Sequence, residues 1–253
     1  MGNKMANLPE ILLLSSIMGF SILLSYPIVL RRRVSARTTH FLASVAVGIL
    51  IFLIADVFSD ASSLIYNGTY YGYGSNSFYD LVFGSSLAGG FFVLYLLESG
   101  SLDKSGPYKL SFMIAIGIGF QNLTEGLVFG ALGVSIGLAS VTLVVLVGFI
   151  LQNLTEGFPI MAPFIGKTGF KKVPVLLFLV IGGIPAVLGS GIGYFYNGTV
   201  LGLLFDGLAI GAMFYVILPI LKMLLSNRDT GLGRLAYAGA FAGFIIGFAV
   251  NLI

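Results

Sequence analysis

Residues 110–132 read LSFMIAIGIGFQNLTEGLVFGAL, an apolar run of membrane length with two amides and a carboxylate set inside it. The hexapeptide QNLTEG, residues 121–126, returns unchanged as residues 152–157 within the next apolar run, residues 138–165. An ionisable side chain in a membrane-spanning helix is costly and marks function by default. On a helix, Gln121 and Asn122 precede Glu125 by one turn, so the three share a face; Gln152, Asn153 and Glu156 repeat it. An acidic, amide-rich face that occurs twice in a membrane core suits a cation.

The surrounding composition agrees. Of the 253 residues, 57% are hydrophobic and 9% charged, and the mean hydropathy is +1.03, which describes a polytopic membrane protein. Cysteine is absent, which excludes a thiolate metal site, a disulfide framework and a catalytic thiol. The single histidine, His40, excludes a site built from several imidazoles.

Working outward from the duplicated stretch predicts an all-α fold of eight spanning helices, at residues 8–30, 40–65, 81–97, 110–132, 138–165, 173–196, 201–225 and 235–253. Each is long enough for a hydrocarbon core of about 30 Å. The first is read as a span rather than a cleavable leader, because its basic cluster (Arg31, Arg32, Arg33) follows the apolar stretch instead of preceding it. Together they form one membrane domain arranged 3+2+3: residues 8–98, 110–165 and 173–253. A short turn near 133–137 joins the two central helices.

Twelve of the thirteen basic residues fall in the loops after the first, third, fifth and seventh helices; Lys4 is the other. The positive-inside rule makes those loops cytoplasmic and both termini extracellular, in a multi-pass protein of the cell membrane. The basic excess is thus a topology signal, and no nucleic-acid partner is expected. Residues 46–52 (AVGILIF) resemble residues 209–215 (AIGAMFY), as an inverted repeat of the outer triplets predicts. Asn67-Gly68-Thr69 and Asn197-Gly198-Thr199 match the glycosylation pattern, but so do the mid-membrane residues 122–124 and 153–155, which weakens the signal.

The two motif helices are sequential and antiparallel, so their polar faces can meet. With the motifs at one depth, Gln121 lies level with Glu156 and Glu125 with Gln152. Gln121, Asn122, Glu125, Gln152, Asn153 and Glu156 are therefore expected to form one divalent-cation site, with the ion as substrate and no organic cofactor. Interhelical amide glue accounts for the amides but not for two acids. Asp56 and Asp206 lie deep enough in apolar sequence to line a transport pathway. Asp60 could line an outer vestibule with them but reads first as an ordinary helix-end carboxylate, and His40 reads as an interfacial residue.

At these residues the chain resembles the ZIP (Zrt/Irt-like) metal transporters, whose fourth helix carries a His-Asn-x-Pro-Glu-Gly-like motif and whose fifth carries a related one. The second copy is most similar to the GufA-like branch. The resemblance implies a divalent-metal transporter of the zinc, iron or manganese class. It also implies an elevator-like motion of helices 1, 4, 5 and 6 against helices 2, 3, 7 and 8, within a homodimer. Gln121 stands where the family usually has His, and Thr124 and Thr155 where it usually has Pro. Ile184 precedes Pro185 where a Glu often completes a second metal position, so one metal position is expected. Oxygen-only donors shift the expectation toward Mn²⁺, Mg²⁺ or Fe²⁺.

No enzyme is expected. An intramembrane aspartyl protease needs Tyr-Asp and Gly-x-Gly-Asp in facing helices, and Asp206 follows Leu203-Leu204-Phe205 instead. A zinc hydrolase of the membrane needs several histidines. The alternative kept open is a non-transporting metal sensor or scaffold derived from such a transporter.

Overall fold

The computed structural model describes residues 6–30, 35–66, 77–99, 106–138, 140–196, 198–225 and 230–252. Among them the chain forms eight helices long and apolar enough to cross a membrane, and no strand. The first is α1 (Leu8–Phe20), opened by a capping box. Asn7 Oδ1 accepts from the Glu10 N–H, and Glu10 accepts from the Asn7 N–H, each at 3.0 Å.

The apolar run predicts one uniform helix to residue 30, but beyond Phe20 the span tightens into a 3₁₀ segment, Ser21–Leu30. Pro27 has no N–H to continue the ladder. The Ser21 and Ser25 hydroxyls also donate to the Met18 and Ile22 carbonyls, at 2.6 and 2.7 Å.

The remaining spans are α2 (Ala36–Tyr66), α3 (Ser77–Ser99), α4 (Pro107–Ile136), α5 (Ser140–Met161), α6 (Lys172–Phe195), α7 (Thr199–Leu225) and α8 (Thr230–Asn251). A short 3₁₀ turn, Ala162–Phe164, extends α5. The turn comes later than the sequence suggests, because α4 runs on to Ile136, and among the described residues between α4 and α5, Gly137, at φ 67°, and Leu138 lie outside the helices. Gly133 is occupied otherwise. It packs beneath the Ile11 side chain, and its carbonyl accepts from the Ala6 N–H at 3.1 Å.

The described basic residues Arg37, Lys109, Lys167, Lys171, Lys172, Lys222 and Arg234 sit where α2, α4, α6 and α8 begin and α5 and α7 end. Those are helix ends of one side if each span crosses in turn, as the loop count requires. Lys4, Arg31, Arg32, Arg33, Lys104 and Arg228 lie outside the described residues, as do residues 67–69 and Asn197.

The helices pack as two groups of four. One holds α1, α4, α5 and α6, with α4 lying along α6; the other holds α2, α3, α7 and α8, with α2 on α8 and α3 on α7. Glycine makes these contacts close. A Cβ on Gly48 would overlap the Ala240 carbonyl of α8, and one on Gly243 the Val45 carbonyl of α2. The other pair repeats the lock: Gly211 against the Leu87 carbonyl, and Gly90 against that of Leu208.

Gly48 and Gly211 are the aligned glycines of the sequence repeat, and Val45 and Leu208 precede them by the same three residues. The repeat is thus a packing device, with α2 meeting α8 as α7 meets α3. Between α1 and α6 the relation closes on itself, Gly19 against the Gly183 carbonyl and Gly183 against that of Gly19. The architecture is the expected 3+2+3 inverted repeat.

Candidate functional site

Residues 110–165 contain no Lys, Arg or His, and the cation on α4, Lys109 in its first turn, stands about four helical turns before Glu125. The structure buries all six motif residues between α4 and α5. Gln121 donates through Nε2 to Glu125 Oε1 at 3.3 Å, the one-turn pairing its spacing allows.

Across the helices, Asn122 Nδ2 donates to Glu156 Oε2 at 3.2 Å and to the Gly182 carbonyl of α6 at 2.9 Å. Glu156 therefore meets Asn122 rather than Gln121, one residue along from the equal-depth register. The anchor on α6 sets that offset. Asn153 turns its Nδ2 back to the Phe149 carbonyl at 3.0 Å, which leaves its oxygen outward. Glu125 and Glu156 lie close enough for their charges to interact.

The hydrogen-bond balance is one-sided. Gln121 Oε1, Asn122 Oδ1, Asn153 Oδ1, Glu125 Oε2 and Glu156 Oε1 are buried without a hydrogen bond, though the Gln152 amide stands near enough to act on the Glu156 carboxylate. The great majority of buried polar atoms in proteins are paired. Here the unpaired atoms of the motif are all acceptors, and both helices contribute them. Such a set can accept a cation.

Among the described residues no three carboxylate or imidazole side chains converge on one point. A cation bound at the motif would be held by two carboxylates and the amide oxygens. Ile184, beside Pro185, is 39% exposed, and α6 offers the motif a backbone carbonyl, that of Gly182.

A cavity of about 180 Å³ opens beside the motif toward the end where α2 and α8 finish, reaching Gln121, Glu125 and Gln152. Asp56 and Asp206, the two residues assigned by sequence to a pathway, line it. Asp60 lines it too, a residue assigned by sequence to a plain helix end. The overlooked signal is spacing: Asp56 and Asp60 stand four apart and share a helix face. Thr124 was missed as well, and its hydroxyl is directed to the Phe120 carbonyl at 3.4 Å.

On the opposite side lies a larger cavity of about 480 Å³, lined by Thr39, Ala43, Met113, Pro219 and Ile220 among others, with Lys109 and Lys167 at its edge. Apolar packing separates it from the motif. Along α5 and the turn after it the order is Glu156, Phe158, Ala162, Ile165, and these last three pack with Leu42 and Ala46 of α2.

The motif glycines have a structural task. A Cβ on Gly126 would overlap the Ala186 carbonyl of α6, and one on Gly157 would sit 2.7 Å from the Ile22 carbonyl. Each copy of the motif is thus pressed onto the first helix of one outer triplet. Compared with models of known protein families and with curated proteins, the chain matches none.

Proposed function

We propose that this chain is a transporter of divalent metal cations of the ZIP kind, which carries its substrate into the cytoplasm through the site between α4 and α5. The observation that carries the reading is the set of five buried acceptor oxygens without hydrogen bonds on two identical, facing motifs. Two carboxylates offset the charge of a divalent ion, and the amide oxygens of Gln121, Asn122 and Asn153 fill out its shell. With oxygen donors alone the site suits Mn²⁺, Fe²⁺ or Mg²⁺ better than the sulfur- and nitrogen-rich sites typical of zinc. One metal position is expected, since α6 supplies no carboxylate beside the motif.

Alternating access has two supports. The acidic cavity reaches the motif from one side, while Phe158, Ala162 and Ile165 close the other. The glycine locks against backbone carbonyls all lie within one four-helix group or the other; across the groups, Gly117 meets Ala212 at an ordinary 3.4 Å. Each group is therefore suited to move as a body, and the elevator motion and homodimer remain part of this reading.

The test is uptake of Mn²⁺, Fe²⁺, Zn²⁺, Mg²⁺ and Cd²⁺ by vesicles holding the purified chain. Saturable uptake with Mn²⁺ or Fe²⁺ preferred is the expected result. Binding without uptake would instead make the protein a sensor or scaffold. Because ligating carboxylates must be deprotonated, protons compete with the metal, and apparent affinity should fall as the medium is acidified. The expected slope approaches about tenfold per pH unit for each proton displaced. An affinity independent of pH would mean that the carboxylates do not bind the metal directly.

A further inference from the structure

The two cavities occupy related places in the repeat. In the register that aligns Gly48 with Gly211, Asp56 and Val57 correspond to Pro219 and Ile220, and Asp206 corresponds to Ala43. Asp56, Val57 and Asp206 line the smaller cavity; Pro219, Ile220 and Ala43 line the larger. The same architecture is therefore built once with carboxylates and once without them. The acids are not needed to form the cavity.

Asp206 is the unusual one. It is 1% exposed, it lines the cavity, and neither of its oxygens has a hydrogen-bond partner. Thr124 faces it from α4, near enough for its hydroxyl to act on the carboxyl, and that hydroxyl also reaches the Phe120 carbonyl at a long 3.4 Å. An ionised Asp206 has at most that one hydroxyl as donor for two buried oxygens, whereas a protonated one can donate to the Thr124 hydroxyl oxygen. The ionised form therefore leaves a buried oxygen that calls for a cation.

Asp60 lies near enough for its charge to act on both Asp206 and Glu125. Asp56 accepts from Asn251 Nδ2 at 2.6 Å, which holds its carboxylate at the rim. The remaining polar groups facing the cavity are Gln121 and Gln152, and its lining includes no cationic side chain.

We propose that Asp206 and Asp60, with Asp56 at the rim, form a second position for a divalent cation, distinct from the Glu125–Glu156 site. Three acids do not converge on one point here. The ion is therefore held with part of its water shell, by a buried carboxylate of α7 on one side and the α2 carboxylates on the other. Both belong to the group of α2, α3, α7 and α8, whereas the motif belongs to the other group. The position loads the motif site from one side of the membrane only, a role that rests on the transport reading; the binding itself does not.

The test is Mn²⁺ binding to the purified full chain, followed by electron paramagnetic resonance, in which free aqueous Mn²⁺ is counted. Two classes are expected in the unaltered protein. Asp206→Asn and Asp60→Asn should each weaken the looser class roughly tenfold, as loss of one unit charge near a hydrated divalent ion implies. The tighter class should remain. Glu125→Gln combined with Glu156→Gln should remove the tighter class and spare the looser one.

Asp60 is exposed, so its variant tests the site even if Asp206→Asn fails to fold. A single class in the unaltered protein, or two classes that both vanish with the Glu pair, would overturn the second position. Survival of the looser class in a protein that transports nothing would sustain it while ending the transport reading.

Discussion

Replacing Glu156 by Gln should reduce metal uptake about 100-fold or more, and Glu125→Gln should act in the same direction. Loss of an outer-shell partner already costs roughly 10–100-fold in metal affinity, and these carboxylates are proposed as direct ligands. The Coulomb term points the same way. Two unit charges about 4 Å apart are worth about 4 kcal/mol at an effective dielectric constant near 20, and the ion carries two charges.

Gln keeps an oxygen donor and nearly the same volume, so the substitution isolates charge from packing. Glu156 is the more sensitive position, because Asn122 Nδ2 already donates to its Oε2 and would then face an amide of uncertain orientation. Uptake in vesicles and Mn²⁺ binding to the purified variants should fall together, and their pH dependence should flatten. A variant that takes up metal normally in both assays would remove the carboxylates from the mechanism.

How much of this was legible in the sequence depends on the length scale of each feature. The eight spans were readable because a membrane helix is a run of about 20 apolar residues and nothing else in the chain imitates it. The motif was readable because its residues are close in sequence and its chemistry is unusual for its depth. The inverted repeat was faintly visible in residues 46–52 and 209–215. It became plain only when Gly48 and Gly211 were seen against carbonyls of α8 and α3, since a glycine's task lies on the helix it meets.

Other features depended on distant partners. Nothing around Gly133 says that Ile11 will cover it. Asp60 looks like any helix-end acid until α7 brings Asp206 to the same cavity. The tightening of the first span at Ser21 was locally encoded, in Pro27 and two serines, but hydropathy alone does not distinguish a 3₁₀ from an α segment.

The motif glycines give the second large effect, and it is one of stability. Alanine for an exposed helical glycine gains about 1 kcal/mol of helix propensity. At Gly126 that gain is overwhelmed, because the new Cβ would overlap the Ala186 carbonyl and lie 2.8 Å from the Ser190 nitrogen, both main-chain atoms of α6. Overpacking of this kind typically costs about 1–3 kcal/mol. Since α6 cannot move without leaving α4, the upper end applies. A loss of about 3 kcal/mol lowers Tm by roughly 6–12 °C in a chain of this size.

Gly157→Ala should be milder. Its nearest obstacle is the Ser25 hydroxyl, with the Ile22 carbonyl and the Ser25 Cβ at 2.7 Å. Adding Ser25→Gly clears the hydroxyl and the Cβ, and should restore part of the loss. No side-chain change on α6 should rescue Gly126→Ala, because main chain stands in its way. Gly84→Ala and Gly148→Ala, with nothing within 4 Å of the added carbon, are the controls and should hold or raise Tm. Thermal unfolding of the four single variants and the Gly157→Ala, Ser25→Gly pair, in one detergent, checks the order. If Gly126→Ala were as stable as Gly148→Ala, α4 and α6 would not be packed carbonyl to glycine, and the motif would not be held where its oxygens meet.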